Sequence, residues 1–198
     1  MFRLIETIRL HDGRFNNLGY HEQRMHRAMK EIFGVDQKVN LEEMLSPYPK
    51  PVSGLYKCRL VYNNKTHQVE FTSYTIRPAH WLRIVHDDTI SYDHKFEDRK
   101  EIDNNFKKRG NCDDVLIIKK GKVTDTSRAN ILFRSGNGWI TPTSLLLPGT
   151  MRQSLLDSKK IAEEEIHVDE LSRFKSFKLV NAMLMFDSPE RSIENIIP

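Results

Sequence analysis

The sequence predicts an α+β protein with a small N-terminal α/β lobe and a larger, β-rich, barrel-like C-terminal lobe. Three observations carry this. Strand-like apolar runs are interleaved with helical stretches along the 198 residues. The second half is dense in short strands separated by glycine turns. A break at Arg77-Pro78-Ala79-His80 divides the chain into residues 1–78 and 79–198.

In chain order, residues 2–10 are an extended apolar run, and His11-Asp12-Gly13-Arg14 supplies the D-G turn of an opening hairpin. Residues 19–33 are a helix: Tyr20, Met25, Ala28, Met29, Ile32 and Phe33 recur at spacings of three and four, and Gly34 stops it. A short helix over 40–45 ends before Pro47, Pro49 and Pro51. Residues 55–62 and 68–75 form a hairpin around Asn63-Asn64-Lys65-Thr66. In the second half, 81–86 is a strand, and residues 96–109 contain a charged, helical stretch. Residues 114–118 and 122–125 flank the turn Lys119-Lys120-Gly121, and 130–134 and 138–141 flank Ser135-Gly136-Asn137. Residues 150–164 are helical after Leu147-Pro148-Gly149, and 177–187 is a last buried strand region.

Composition narrows the function classes. Hydrophobic residues make up 38% and charged residues 29%, an ordinary globular balance. The formal charge of +4 and the pI near 9.0 favour anionic ligands. The basic residues are mixed with acids, so a nucleic-acid partner is not expected. The cysteines, Cys58 and Cys112, lie outside metal-ligand spacings, so no metal is expected and a reducing compartment is. The N-terminal MFRLIETIRL has no apolar h-region, and no run approaches the roughly 18 apolar residues of a membrane span. The expectation is a soluble, cytoplasmic protein without a membrane partner.

The sharpest chemical signal is residues 113–134, DDVLIIKKGKVTDTSRANILFR. Two apolar strands surround a glycine turn, an acid follows at Asp125, and Asn130 opens the next strand. The string resembles the signature of the class IV aminotransferases, the fold-type IV pyridoxal-phosphate enzymes: G-x-V-x-E, a few small residues, then N-[IL]-F. That family includes branched-chain and D-amino acid aminotransferases and aminodeoxychorismate lyase. Asp125 stands where the family usually has Glu. The resemblance implies pyridoxal 5′-phosphate as cofactor, with residues 79–198 as its binding lobe. Asp125 would face the pyridine nitrogen, because a buried carboxylate there keeps the ring protonated and able to accept electrons. The resemblance also places Ser127 and Asn130 at the cofactor.

Five further segments match. LLLPGTMRQSLL, residues 145–156, is similar to the family's phosphate segment, with Thr-Met where an aliphatic residue and Thr are usual. The backbone N–H groups of Thr150 and Met151 at a helix start suit a phosphate dianion. HEQR, residues 21–24, is similar to the family's H-x-x-R, following a strand whose Leu4-Ile5-Glu6-Thr7 matches F-E-T. It assigns Arg24 to the phosphate and gives His21 a structural place at an interface. His94-Lys95-Phe96-Glu97-Asp98-Arg99 resembles the lyase setting L-K-x-L-N-R and makes Lys95 the Schiff-base lysine and later the base at the substrate α-carbon. Arg59, on the strand LYKCRLVY, is the expected substrate-carboxylate ligand. FKLVNAMLMFDS, residues 177–188, resembles the lyase-type last strand and puts Asn181 and Ala182 near the phosphate.

The resemblance runs from Glu6 to about Phe186, and the chain is shorter than typical members, mostly between Arg24 and Lys95. It implies an enzyme acting at the α-carbon of an amino acid or amino-bearing acid, either as an aminodeoxychorismate lyase-like enzyme or as an aminotransferase, and a homodimer. The alternative is a catalytically inactive binding protein that kept the fold.

Overall fold

The computed structural model describes residues 2–77, 79–136 and 138–198. Pro78 of the expected linker and Asn137 of the expected turn lie outside them. Two compact units emerge: Met1–Ile76 with His94–Asp98, and Arg77–Asp93 with Arg99–Pro198.

The first unit contains β1 (Leu4–His11), β2 (Arg14–Phe15), α1 (Leu18–Phe33), α2 (Leu41–Leu45), β3 (Leu55–Tyr62) and β4 (His67–Ser73). They form an antiparallel sheet ordered β2-β1-β3-β4. Asp12 (φ 47°) and Gly13 (φ 73°) both take the left-handed conformation that a two-residue hairpin needs. In the second hairpin, Asn63 Oδ1 accepts from the N–H groups of Lys65 (2.8 Å) and Thr66 (2.9 Å), the side-chain turn that asparagine favours. Gly34 (φ 68°) ends α1 by donating its N–H to Lys30. Alternation along β1 puts Leu4, Ile8 and Leu10 out of water, and Leu4 and Ile8 pack with Met25 and Ala28 of α1 and Cys58 and Leu60 of β3. That face carries one acid, Glu6, between Leu4 and Ile8.

The first residues of the stretch expected to contain a helix, with Lys95 before them, extend this sheet. Ile5 N–H donates to the Lys95 carbonyl (2.9 Å), Glu97 N–H donates to the Arg3 carbonyl (2.9 Å), and Leu4 bridges Phe96. These bonds use the edge of β1 that short β2 leaves uncovered. The helix therefore begins later.

The second unit contains β5 (Leu82–His86), α3 (Lys100–Phe106), β6 (Asp114–Lys119), β7 (Lys122–Thr126), β8 (Asn130–Ser135), β9 (Gly138–Pro142), α4 (Thr150–Asp157), β10 (Ala162–Glu164), β11 (Ser176–Val180), β12 (Arg191–Ser192) and β13 (Ile196–Ile197). They make two sheets, ordered β10-β9-β8-β11-β12 and β13-β5-β6-β7. β6 runs parallel to β5 and is buried from Asp114 to Ile118, which accounts for its unbroken apolar run. Both sheets contribute to one core, with Leu82, Leu116 and Val123 from one and Ile131, Phe133, Ile140 and Phe177 from the other.

Two expectations shorten. The helix expected over 150–164 stops at Asp157, because Lys159 turns left-handed (φ 55°) and residues 162–164 pair parallel with β9. The strand expected over 177–187 stops at Val180, because Asn181 Oδ1 accepts from the N–H groups of Met183 and Leu184, both at 2.8 Å. No helix among the described residues is long and apolar enough to cross a membrane.

Candidate active site

In the first unit the chemistry starts from Glu6, whose side chain is fully buried. His21 Nδ1 lies 2.6 Å from one of its oxygens, and Arg24 donates to both, from Nε at 2.9 Å and from Nη2. Burial by itself would raise the Glu6 pKa. The Arg24 charge and the His21 hydrogen bond outweigh it and bring the pKa down to about 2. His21 is pushed down by its own burial, against the pull of Glu6 and helped by the Arg24 and Lys95 charges. A neutral imidazole beside an ionised carboxylate must carry its hydrogen on Nδ1 and donate it. His21, expected at an interface, is thus a buried brace of the first unit, and Arg24 comes off α1 with two nitrogens fixed on Glu6.

The pairing of residues 95–97 with β1 sets the direction of Lys95. Phe96 opposes Leu4 on the face that packs against α1. Lys95 and Glu97 therefore fall on the other face, with Arg3, Ile5 and Thr7. Arg59 opposes Thr7 and shares that face. Its Nη2 donates to Glu97 Oε1 at 2.8 Å. The fold thus puts the expected carboxylate ligand on the face opposite the Glu6–His21–Arg24 cluster, with the expected lysine at the sheet edge, near enough for its charge to act on His21.

In the second unit Asp125 ends its strand fully buried. Its Oδ2 accepts from the N–H groups of Leu146 (2.9 Å) and Leu147 (3.0 Å), and its Oδ1 from the Asn130 side chain (2.8 Å). Burial raises its pKa, against these bonds and the more distant Arg152 charge. The Asn130 amide also donates to the Leu147 carbonyl at 3.0 Å. That brings the Pro-Gly turn hard against β8: a Cβ on Gly149 would sit 2.0 Å from Asn130 Oδ1, so the position admits only glycine without rearrangement. α4 follows with Thr150 and Met151 buried, and its N-cap residue, Gly149, has no side chain to cap it. Asp125, Asn130, Thr150 and Met151 are therefore gathered by one local network.

Ser127 is buried nearby, but its backbone is engaged elsewhere. Its N–H donates to Asp114 Oδ1 (3.2 Å) and its carbonyl accepts from Arg99 Nη2 (2.6 Å). Asn181 donates to the Arg128 carbonyl at 3.0 Å. Sequence reasoning did not assign roles to Glu6, Glu97 or Asp114. Glu6 had a usable signal, an acid in an alternating apolar strand. Glu97 and Asp114 had none without their distant partners.

Comparison with known proteins bears on the family and the fold. The family model for amino-transferase class IV matches residues 65–186. An uncharacterized protein of Haemophilus influenzae is 37% identical over 186 residues, covering 92% of this chain and 98% of its own. A crystal structure of a candidate 4-amino-4-deoxychorismate lyase from Haemophilus somnus is 35% identical, with a TM-score of 0.85 over 92% of this chain and 97% of that one. A hypothetical aminotransferase of Mycobacterium tuberculosis in its PLP-bound form shares the fold at 15% identity, with a TM-score of 0.73 over 96% of this chain and 80% of that one. The two Haemophilus proteins are as compact as this chain. The α+β architecture, the G-x-V-x-D-x4-N strand pair and the match across most of the sequence lead to one conclusion: the chain belongs to the class IV aminotransferase family and has the fold of the fold-type IV pyridoxal-phosphate enzymes.

Proposed function

We propose that the chain is a pyridoxal-phosphate-dependent enzyme acting at the α-carbon of an amino-bearing carboxylic acid, with a lyase reaction like that of aminodeoxychorismate lyase as the first reading and transamination as the second. One observation carries it: Asp125 is a fully buried carboxylate held by neutral donors, with its proton affinity raised by burial. Such a group is completed by a cation, and a protonated pyridine nitrogen is one. The donor set fits the cofactor in kind: a lysine amine, this acid, a helix start behind a glycine with no room for a side chain, and an arginine.

When bound, the cofactor supplies a ring that withdraws electrons from the substrate's α-carbon. In this reading Arg24 and the N–H groups of Thr150 and Met151 hold the phosphate. Asp125 keeps the ring nitrogen protonated, while Asn130 and Ser127 fix the loop that presents it. Lys95 attaches the cofactor and moves the proton at the α-carbon. Arg59 binds the substrate's carboxylate. A homodimer in the reducing cytoplasm goes with this reading, supported by the family's habit and by two free, buried cysteines.

The first test is the visible spectrum of the purified protein with pyridoxal phosphate. We expect a band abolished by borohydride and absent from Lys95→Ala. Pyruvate release from aminodeoxychorismate against keto-acid-dependent amine transfer separates the two reactions. Failure to take up the cofactor overturns the reading.

A further inference from the structure

The face that carries Lys95 also carries an ion cluster whose acid, Glu97, the reaction as described does not use. Glu97 bridges two guanidinium groups: Oε1 accepts from Arg59 Nη2 at 2.8 Å, and Oε2 lies 2.5 Å from Arg3 Nε. The Glu97 side chain is 22% exposed, that of Arg59 33% and that of Arg3 54%. Two cations share one anion, so the cluster has room for one more negative charge. Only Phe96 separates Glu97 from Lys95, and the pleat puts both on the same side.

We propose that Glu97 is an internal placeholder for the substrate's carboxylate. With the site empty it holds Arg59 extended along the sheet. An arriving carboxylate takes Arg59, and Glu97 stays paired with Arg3, so no buried acid is stranded. Glu97 thereby sets how strongly an anionic ligand is preferred over a neutral one of the same shape. This rests on the assignment of Arg59 as the carboxylate ligand.

The test is equilibrium binding of benzoate and of benzamide, its neutral counterpart, by calorimetry on cofactor-loaded protein. Glu97→Gln removes the competing charge and should tighten benzoate about 5-fold. Arg3→Ala leaves Glu97 with Arg59 alone and should weaken benzoate by about the same factor. Benzamide should be unmoved in both. A general loosening of the face would weaken both ligands in both variants. Shifts in the same direction, equal shifts for benzamide, or no benzoate binding to the parent protein would overturn the proposal. Cofactor uptake read in the same samples separates the two claims: no visible band sinks the enzyme reading, whereas a normal band with unchanged benzoate affinities sinks only the role of Glu97.

Discussion

Each unit buries a carboxylate at its candidate site, Glu6 in the first and Asp125 in the second, and the two behave in opposite ways. Glu6 meets a guanidinium and an imidazole and is driven down to about 2. Asp125 meets two backbone N–H groups and an amide and is driven up from its ordinary value. Both have hydrogen-bond donors to spare, so the number of bonds does not decide the direction. The sign of the nearby charge does: Arg24 is in direct contact with Glu6, while Arg152 reaches Asp125 only through space. Glu6 is complete within its unit and braces the fold. Among the described residues no cation bonds Asp125, and the proposed cofactor contact rests on that difference.

The most severe way to test this contrast is Glu6→Gln. It leaves Arg24 buried against an amide whose NH2 can only repel it. Breaking a buried pair from one side costs about 3–5 kcal/mol, and urea unfolding should read that loss with or without cofactor. Acid titration should give the same answer from the other direction. The folded pKa of Glu6 lies below its unfolded value, so its stabilisation is present above 4.5 and is lost as pH falls toward about 2. Across that window the parent protein should lose about 3 kcal/mol that Glu6→Gln does not. Parallel acid curves would mean that Arg24 and His21 do not hold the charge.

The two carboxylates also differ in how visible they are in the sequence. Asp125 and Asn130 are five residues apart on strands joined by a tight turn, so their spacing and the apolar runs around them announce the site. α1 is equally legible, through its periodicity and Gly34. The partners of Glu6 lie 15 and 18 residues away, and the Glu97–Arg59 pair spans 38. No local pattern encodes them. The same non-locality sets where the helix expected within residues 96–109 begins: the charged residues favour a helix, but the edge of β1 offers backbone bonds that claim residues 95–97 first. It also explains α4, where Lys159 reverses the chain and residues 162–164 find β9, overriding a run of good helix formers.

Gly149→Ala tests the Asp125 network through geometry rather than charge. The backbone there is ordinary (φ −72°, ψ 139°), so alanine is not excluded by conformation. Its methyl would lie 2.0 Å from Asn130 Oδ1, and Asn130 must turn away. That gives up the amide's bonds to Asp125 and to the Leu147 carbonyl, a loss of about 2–3 kcal/mol in urea unfolding. Unchanged stability would show that the turn before α4 can move aside, and that the network does not fix where the helix begins.

The smallest effect on stability and the most discriminating result belong to Asp125→Asn. The new amide oxygen still accepts from Leu146 and Leu147, its NH2 faces the Asn130 amide and gives up that bond, and the disappearance of a buried charge offsets the loss. Its sign is opposite to that of Glu6: the folded pKa is raised, so the acid's stabilisation is present below 3.8 and is lost as pH rises through the higher folded value. Near neutrality the ionised group therefore works against the cofactor-free fold, and its removal should change unfolding by no more than about 1 kcal/mol. Cofactor affinity should nevertheless fall about 10–100-fold, the worth of a charge-assisted bond to the ring nitrogen. The thermal shift on adding pyridoxal phosphate should shrink with it. If Asp125→Asn takes up the cofactor as tightly as the parent protein, the two buried carboxylates are both braces. The contrast between them would then be one of depth in the fold, not of purpose.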